Sequence, residues 1–167
     1  MSHIRFPVLA VLTLVLLGAF SMAALSQDLL TQKVIPMEIA NTIAQTAVMQ
    51  CRANGYRVSA TILDNGGALK AFVRDDGAGL GTIDISHKKA YTSLVFGRPS
   101  GDMAKMFGSM SPPPNINIDG VVTLAGGLPI KAGMETIGAI GVSGAPGGEK
   151  DEACATAGLA KVADKLK

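Results

Sequence analysis

Glu149, Asp151 and Glu152 form a compact group of potential metal ligands directly after the glycine-rich stretch GVSGAPGG. These acids lie at the start of a helix predicted at residues 149–166, and residues three apart share one helix face. Glu149 and Glu152 could therefore bind iron or another divalent cation through their carboxylates. Acids in a first helical turn also complement the positive end of the helix dipole, and that interpretation needs no ligand. The sequence leaves both interpretations open.

His87 is the second candidate, because imidazole is a good ligand for haem iron and for other metals. The chain has only two histidines, and the other is His3. A solvated or helix-capping role is the more usual one for a single histidine without partners, and it is the alternative for His87. Lys89 stands close to His87, and Arg74 closes a predicted strand before it. Both cations could hold a carboxylate such as a haem propionate, or they could serve in turns and ion pairs.

Several other kinds of chemistry are excluded. The stretch that follows Gly147 and Gly148 is Glu-Lys-Asp, which lacks the Lys-Ser/Thr pair of a phosphate-binding loop. No Gly-x-Ser-x-Gly elbow is present, so Ser143 is a very weak candidate for a nucleophile. The net charge is +2, the 15 basic residues are scattered and tryptophan is absent. These features give no indication of a nucleic-acid-binding surface.

The hydrophobic periodicity predicts one α+β domain of the profilin or PAS type. It has a five-stranded antiparallel sheet with helices on one side. Asn65 and Gly66 predict a hairpin turn with positive φ angles. The predicted order is helix, two strands, two helices, three strands and helix. Helices are predicted at residues 35–54, 83–96, from residue 100, and 149–166; strands are predicted at residues 57–63, 68–74, 121–125, 128–131 and 136–142.

The first 26 residues are predicted to be a signal peptide. A short basic start precedes an uncharged apolar run, and small residues follow it, so cleavage is expected after Ala23 or Ser26. An uncleaved membrane anchor is the alternative. If the signal peptide is cleaved, residues 27–167 form an exported single domain, periplasmic or secreted, with no membrane attachment. Cys51 and Cys154 could pair in an oxidising compartment, or both could be buried thiols.

Five stretches, in collinear order, resemble the GlcG/HbpS-type haem-binding family: ILDNGGALKAFVRDDGAG, KKAYTSLVFGRPSGDMAKM, LAGGLPI, IGAIGVSGAPGG and DEACATAGL. The resemblance covers nearly the whole predicted mature chain. It implies a profilin-like domain that assembles into a homo-oligomer, often an octamer. It also implies haem binding, which in some members is linked to haem degradation or to redox-linked iron sensing. Glu149 and Glu152 match a Glu-x-x-Glu arrangement that binds iron in an exported member.

The resemblance also implies one haem-site residue: Thr92 lies in a Lys-Ala-Tyr-Thr motif whose threonine is proposed to contact haem iron. From the residues themselves, His87 is the other candidate ligand. The apolar slot could be lined by Tyr91, Met103, Met106 and Phe107, and the propionates could be held by Arg74, Lys88, Lys89 or Arg98. Asp75 departs from the family, which usually has Met there, and adds a charge near the expected site. The alternatives are an accessory protein or enzyme for an organic acid, clamped by Arg74 and Lys89, and a structural oligomer; enzymatic activity stays open.

Overall fold

The computed structural model describes residues 29–111 and 118–167. The chain divides into two units, residues 1–31 and residues 32–167, and all of the described helices and strands lie in the second unit. The predicted signal peptide, residues 1–26, therefore lies outside the described residues. Among the described helices, none is both long enough and apolar enough to cross a membrane.

The predicted element order is confirmed except for one strand. Four α-helices and four strands occur in the described part of the chain. In chain order they are α1 (Met37–Ala53), β1 (Ser59–Asp64), β2 (Leu69–Arg74), α2 (Gly81–Phe96), α3 (Ser100–Gly108), β3 (Gly127–Ala132), β4 (Glu135–Ser143) and α4 (Gly148–Ala160), followed by a short 3-10 helix, Ala163–Lys165. The predicted last helix is thus divided in two. In the hairpin turn between β1 and β2, the positive φ is at Gly67, at 82°, rather than at Asn65 or Gly66.

The sheet is antiparallel with the strand order β2-β1-β4-β3, so it has four strands rather than the predicted five. The missing strand is the apolar run at residues 121–125. Its backbone bonds to side chains instead of to a neighbouring strand: Thr92 accepts the N–H of Val122 at 2.8 Å, and Ser100 donates to the carbonyl of Leu124 at 2.6 Å. The run is therefore a loop held against α2 and α3.

Helices cover both faces of the sheet, which corrects the prediction that they lie on one side. On one face α1 and α4 pack against each other and against the alternate strand residues Ala60, Ile62, Ile140 and Val142. Cys51 of α1 and Cys154 of α4 form a disulfide there, with a Cα–Cα distance of 5.5 Å. The disulfide links the two helices across a sequence separation of 103 residues.

The other face carries α2, which packs on β1, β3 and β4. Here the inward residues are small: Gly141 of β4 approaches so closely that a Cβ atom would overlap the Ser86 carbonyl oxygen. Leu63, Ala90 and Ala139 form a small second core with Tyr91 and Leu94. The short side chains let α2 lie directly on the backbone of the sheet, and this position sets the orientation of every polar residue on the helix.

Candidate functional site

Two hydrogen bonds fix the register of α2 along β1. The hydroxyls of Ser59 and Thr82 are 2.7 Å apart, and those of Thr61 and Ser86 are 2.8 Å apart. Thr82 and Ser86 therefore face the sheet. Neighbouring helical residues are rotated by about 100° from each other, so the residues before and after these positions lie on opposite flanks of the helix.

The first flank of α2 borders a pocket of about 520 Å³. We call it the α2–α4 pocket. Its walls come from α2, α3, the loop at residues 123–125 and the segment from the end of β4 into α4. Its apolar wall includes Ile85, Leu124, Ala125 and Ala145, and its polar residues include Lys89, Ser143, Glu149, Asp151 and Glu152. The volume lies within the range of pockets that bind small molecules and cofactors.

Lys89 and Asp151 form a buried ion pair in this pocket. Lys89 Nζ lies 2.7 Å from Asp151 Oδ2, and both side chains are at least 96% buried. Lys89 also donates to the Val142 carbonyl at 3.0 Å, and the N–H of Ala145 donates to Asp151 Oδ1 at 2.9 Å. Burial raises the pKa of the Asp151 carboxyl above its ordinary value, while the hydrogen bond from Lys89 acts in the opposite direction. The pair joins α2 to α4.

Glu149 and Glu152 lie on the wall of the same pocket, as predicted for residues that share a helix face. Gly101 of α3 leaves room for Glu152, because a Cβ atom there would lie 3.2 Å from Glu152 Oε2. No group of three or more His, Cys, Asp or Glu side chains within the described ranges is arranged to hold a metal ion. Iron binding by Glu149 and Glu152 stays a prediction.

The opposite flank of α2 faces β2. Ile83 and His87 follow the sheet-facing Thr82 and Ser86 by one residue, so helix rotation places them on the flank away from the pocket. Tyr91, one turn after His87, lies beside Gly67 of the turn between β1 and β2. In β2, Arg74 pairs with Ser59 and Phe72 pairs with Thr61. Because β-strand side chains alternate, Arg74 and Phe72 point to the face that α2 covers. We call these five residues the β2 flank.

The β2 flank is an open surface that combines apolar and polar groups. Phe72 and Ile83 are each 37% exposed, which is high for large apolar side chains. His87 and Tyr91 are partly buried. Arg74 Nε donates to the Ala78 carbonyl at 3.1 Å, which holds the guanidinium near the end of the strand. Phe72 was missed by the sequence reasoning, although its two-residue spacing from Arg74 was a usable signal.

Other predicted site residues lie elsewhere. Met103 is buried in α3, and Thr92 is buried with its hydroxyl bonded to the loop at Val122. Lys89 and Arg74 lie on opposite flanks of α2, so a single small carboxylate would not contact both of them. The predicted clamp for an organic acid therefore does not form from this pair.

Asp75 does not face the expected site either. Its buried carboxylate accepts hydrogen bonds from Arg52 at the end of α1, and Arg57 Nη1 lies 3.7 Å away. The hydrogen bond from Arg52 holds the pKa of Asp75 below its ordinary value, although burial acts in the opposite direction. The charge of Asp75 is thus compensated by arginines, and it does not reach the β2 flank or the pocket.

The described unit is a small α+β domain with a four-stranded antiparallel sheet and two candidate binding surfaces on either side of α2. The chain belongs to the haem-degrading protein HbpS-like family, whose model matches residues 35–160. Family membership supports a haem-related function.

Solved structures of HbpS support the same family assignment. The crystal structure of HbpS is 32% identical and has a TM-score of 0.75, covering 81% of this chain and 94% of that chain. A Streptomyces reticuli HbpS double mutant, with two glutamates replaced by aspartates, is 33% identical and has a TM-score of 0.77, covering 87% and 98%. The PduOC–haem complex, 20% identical with a TM-score of 0.69 and covering 77% and 94%, shares the fold. A search of curated proteins found no match.

Proposed function

We propose that this chain is an exported protein that binds haem or a related tetrapyrrole on the β2 flank. The observation that carries the proposal is the strand register that turns Phe72 and Arg74 to the face carrying α2, on the side where helix rotation places His87, in a chain of the HbpS-like family. PduOC, which shares the fold, has been crystallised as a complex with haem, and this supports the same ligand class.

The residues of the β2 flank fit the group. Haem needs an axial ligand, an apolar surface for the ring and cations for its propionates. His87 supplies an imidazole, Phe72 and Ile83 supply apolar surface and Arg74 supplies a cation. The α2–α4 pocket fits less well, because four of its lining residues are acids and none is His, Cys, Met or Tyr. Carboxylates there would repel the propionates.

Four residues of the flank would have separate roles. His87 would hold the iron, Arg74 would pair with a propionate through the nitrogen atoms that the Ala78 carbonyl leaves available, and Phe72 would exclude water from the ring. Tyr91, one turn after His87, would limit the position of the ring toward the hairpin turn. Bound haem supplies iron for redox or oxygen chemistry, which no side chain provides by itself.

A haemin titration tests this proposal. The wild-type protein should give a shifted Soret band with saturable stoichiometry, and His87→Ala should abolish that shift. Lys105→Ala is the matched control, because Lys105 lines the pocket on the opposite side of α2 and should leave the titration unchanged. An unshifted wild-type spectrum, or an unchanged titration with His87→Ala, would reject the β2 flank as the haem site.

Export is the second part of the proposal. The Cys51–Cys154 disulfide supports it, because such bonds persist mainly in oxidising compartments. Cleavage after Ala23 or Ser26 should be visible in the intact mass of protein recovered from the periplasm or medium. The same measurement with and without reductant, after alkylation, should show two cysteines that react only after reduction. A full-length mass from the membrane fraction would contradict cleavage and favour the uncleaved membrane anchor.

Haem degradation, iron sensing and assembly into an oligomer stay predictions from the family resemblance. Turnover is tested by loss of the Soret band when a reductant and oxygen are added to the haem complex. Light scattering of the purified protein with and without haemin gives the oligomeric state. Because the β2 flank is an open surface, the same experiment shows whether occupation of the flank changes assembly.

A further inference from the structure

The α2–α4 pocket has a charge balance that the haem proposal does not use. Lys89 and Asp151 neutralise each other, and Lys105 and Asp102 lie 4.0 Å apart on α3. Glu149 and Glu152 remain, and within the described ranges neither has a Lys, Arg or His partner within 4.0 Å. The pocket therefore carries an excess of negative charge.

The start of α4 does not reverse this balance. A helix N-terminus attracts anions, but Glu149 and Asp151 already stand in the first turn of α4. An anionic ligand would meet these carboxylates before it reached the backbone N–H groups. The pocket thus favours a ligand with a positive charge.

Ser143 supplies an independent observation. Ser143 is only 6% exposed and lines the pocket, yet no hydrogen bond among the described residues involves its hydroxyl. None of the fully enclosed side-chain polar atoms of the described residues lacks a partner, so the Ser143 hydroxyl is open to the pocket. A buried hydroxyl normally has a hydrogen-bond partner, and a ligand in the pocket would provide it.

The rest of the wall is apolar. Ile85, Ala125 and Ala145 bound the cavity between the charged groups, and Leu124 stands partly exposed at its edge. A ligand that fits would have a compact aliphatic body and one ammonium group. The body would contact Ile85 and Ala125, and the ammonium would reach Glu152.

We propose that the α2–α4 pocket is a second binding site, for a small aliphatic primary amine. Glu152 binds the ammonium group, Glu149 adds to the negative potential at the entrance, and the Ser143 hydroxyl accepts a hydrogen bond from the amine. The site is separate from the β2 flank, because the two lie on opposite sides of α2. It can therefore be occupied with or without haem.

Three probes that carry the same 3-methylbutyl group, with an ammonium, a hydroxyl or a carboxylate at its end, test the charge preference of the pocket. They are 3-methylbutylamine, 3-methylbutan-1-ol and 4-methylpentanoate. Binding is followed by the amide shifts of Ser143, Gly144 and Gly148 in ¹H–¹⁵N spectra, in the presence of EDTA. The amine should give saturable shifts at these amides. The alcohol should bind about tenfold more weakly or worse, and the carboxylate should not bind, because charge-assisted hydrogen bonds are the stronger ones.

Variants then assign the contacts. Glu152→Gln should weaken amine binding about tenfold or more, and Ser143→Ala should weaken it severalfold. Glu38→Gln, at an exposed glutamate in the first turn of α1, should leave the affinity unchanged. Tighter binding of the carboxylate, unsaturable amine shifts, or an unchanged affinity in Glu152→Gln would overturn the proposal. In a separate sample without EDTA, Mn²⁺ broadening of the same amides, together with no amine binding, would overturn it in favour of a metal site.

Discussion

Lys89 Nζ and Asp151 Oδ2, 62 positions apart in the chain, lie 2.7 Å apart in a buried pair that joins α2 on one face of the sheet to the start of α4. The carboxylate is held further by the Ala145 N–H, so it also fixes the turn between β4 and α4. The pair therefore sets the relative position of three walls of the pocket.

Removal of one partner should be strongly destabilising. Lys89→Met leaves the Asp151 carboxylate buried without its cation, and we expect a loss of about 3–5 kcal/mol in the free energy of unfolding. The double variant Lys89→Met/Asp151→Leu removes both charges and should recover most of that loss. Urea unfolding of the wild type, Lys89→Met and the double variant measures the three free energies of unfolding. A double variant less stable than Lys89→Met would contradict the interpretation.

The Asp75 carboxylate should make stability depend on acid pH. Its folded-state pKa is lowered by the hydrogen bond from Arg52, so its contribution is fully present above the unfolded pKa of about 3.9. The contribution is lost as the pH falls through the lower folded-state pKa. Asp75→Asn should therefore lower the thermal midpoint at pH 7, and its difference from wild type should shrink as the pH falls below about 3.9.

The matched control for Asp75 is Asp76→Asn, because Asp76 is the next residue and is exposed. It should change the midpoint little at either pH. A difference between Asp75→Asn and wild type that stays constant from pH 7 to pH 2 would show that the lost charge is not the cause.

Gly141 should be intolerant of a side chain. A Cβ atom there would meet the backbone of α2 at Ser86 and Ala90, and backbone cannot move aside as a flexible side chain can. Gly141→Ala should destabilise the protein by about 3 kcal/mol or more, at the upper end of overpacking effects. Gly81→Ala, where a Cβ would have open space, should stay within about 1 kcal/mol of wild type. Urea unfolding compares the two variants.

The sequence predicted those parts of the fold in which local pattern and final structure agree. Ile43, Ala47 and Cys51 repeat at helical spacing, and all three are buried in α1. Residues 121–125 misled the prediction, because an apolar run resembles a strand. Two side chains more than 20 positions away, Thr92 and Ser100, bond that backbone, and no local pattern reports such distant contacts.

The candidate site was predictable only in part. The pairing of Glu149 with Glu152 on one wall follows from helical spacing, and it is observed. His87 and Lys89 were assigned to one site because they are close in sequence. Helix residues that are two positions apart in sequence point about 200° away from each other. The separation of His87 and Lys89 onto opposite flanks could therefore have been predicted from helix geometry alone. The ion pair between Lys89 and Asp151 could not have been predicted, because no local pattern around either residue indicates its partner.

Thr92 should act through the loop that it holds. Its hydroxyl accepts the Val122 N–H at 2.8 Å and lies 2.8 Å from the Lys88 carbonyl and 3.0 Å from the Val122 carbonyl, to which it can donate. Thr92→Val keeps the shape but leaves the Val122 N–H without a partner, at a cost of about 1–3 kcal/mol. Thr92→Ser keeps the hydroxyl and should lose less free energy of unfolding than Thr92→Val. Faster hydrogen exchange at the Val122 amide in Thr92→Val alone would be the direct readout.

The same two variants separate this role from contact with haem iron. On the structure, the Thr92 hydroxyl is fully engaged with the backbone, on a helix whose opposite flank carries His87. Thr92→Val should therefore retain the haemin Soret shift that His87→Ala loses, while its unfolding midpoint falls. Loss of the shift in Thr92→Val, with normal protection of the Val122 amide, would instead assign the threonine to the iron and move the haem site away from the β2 flank.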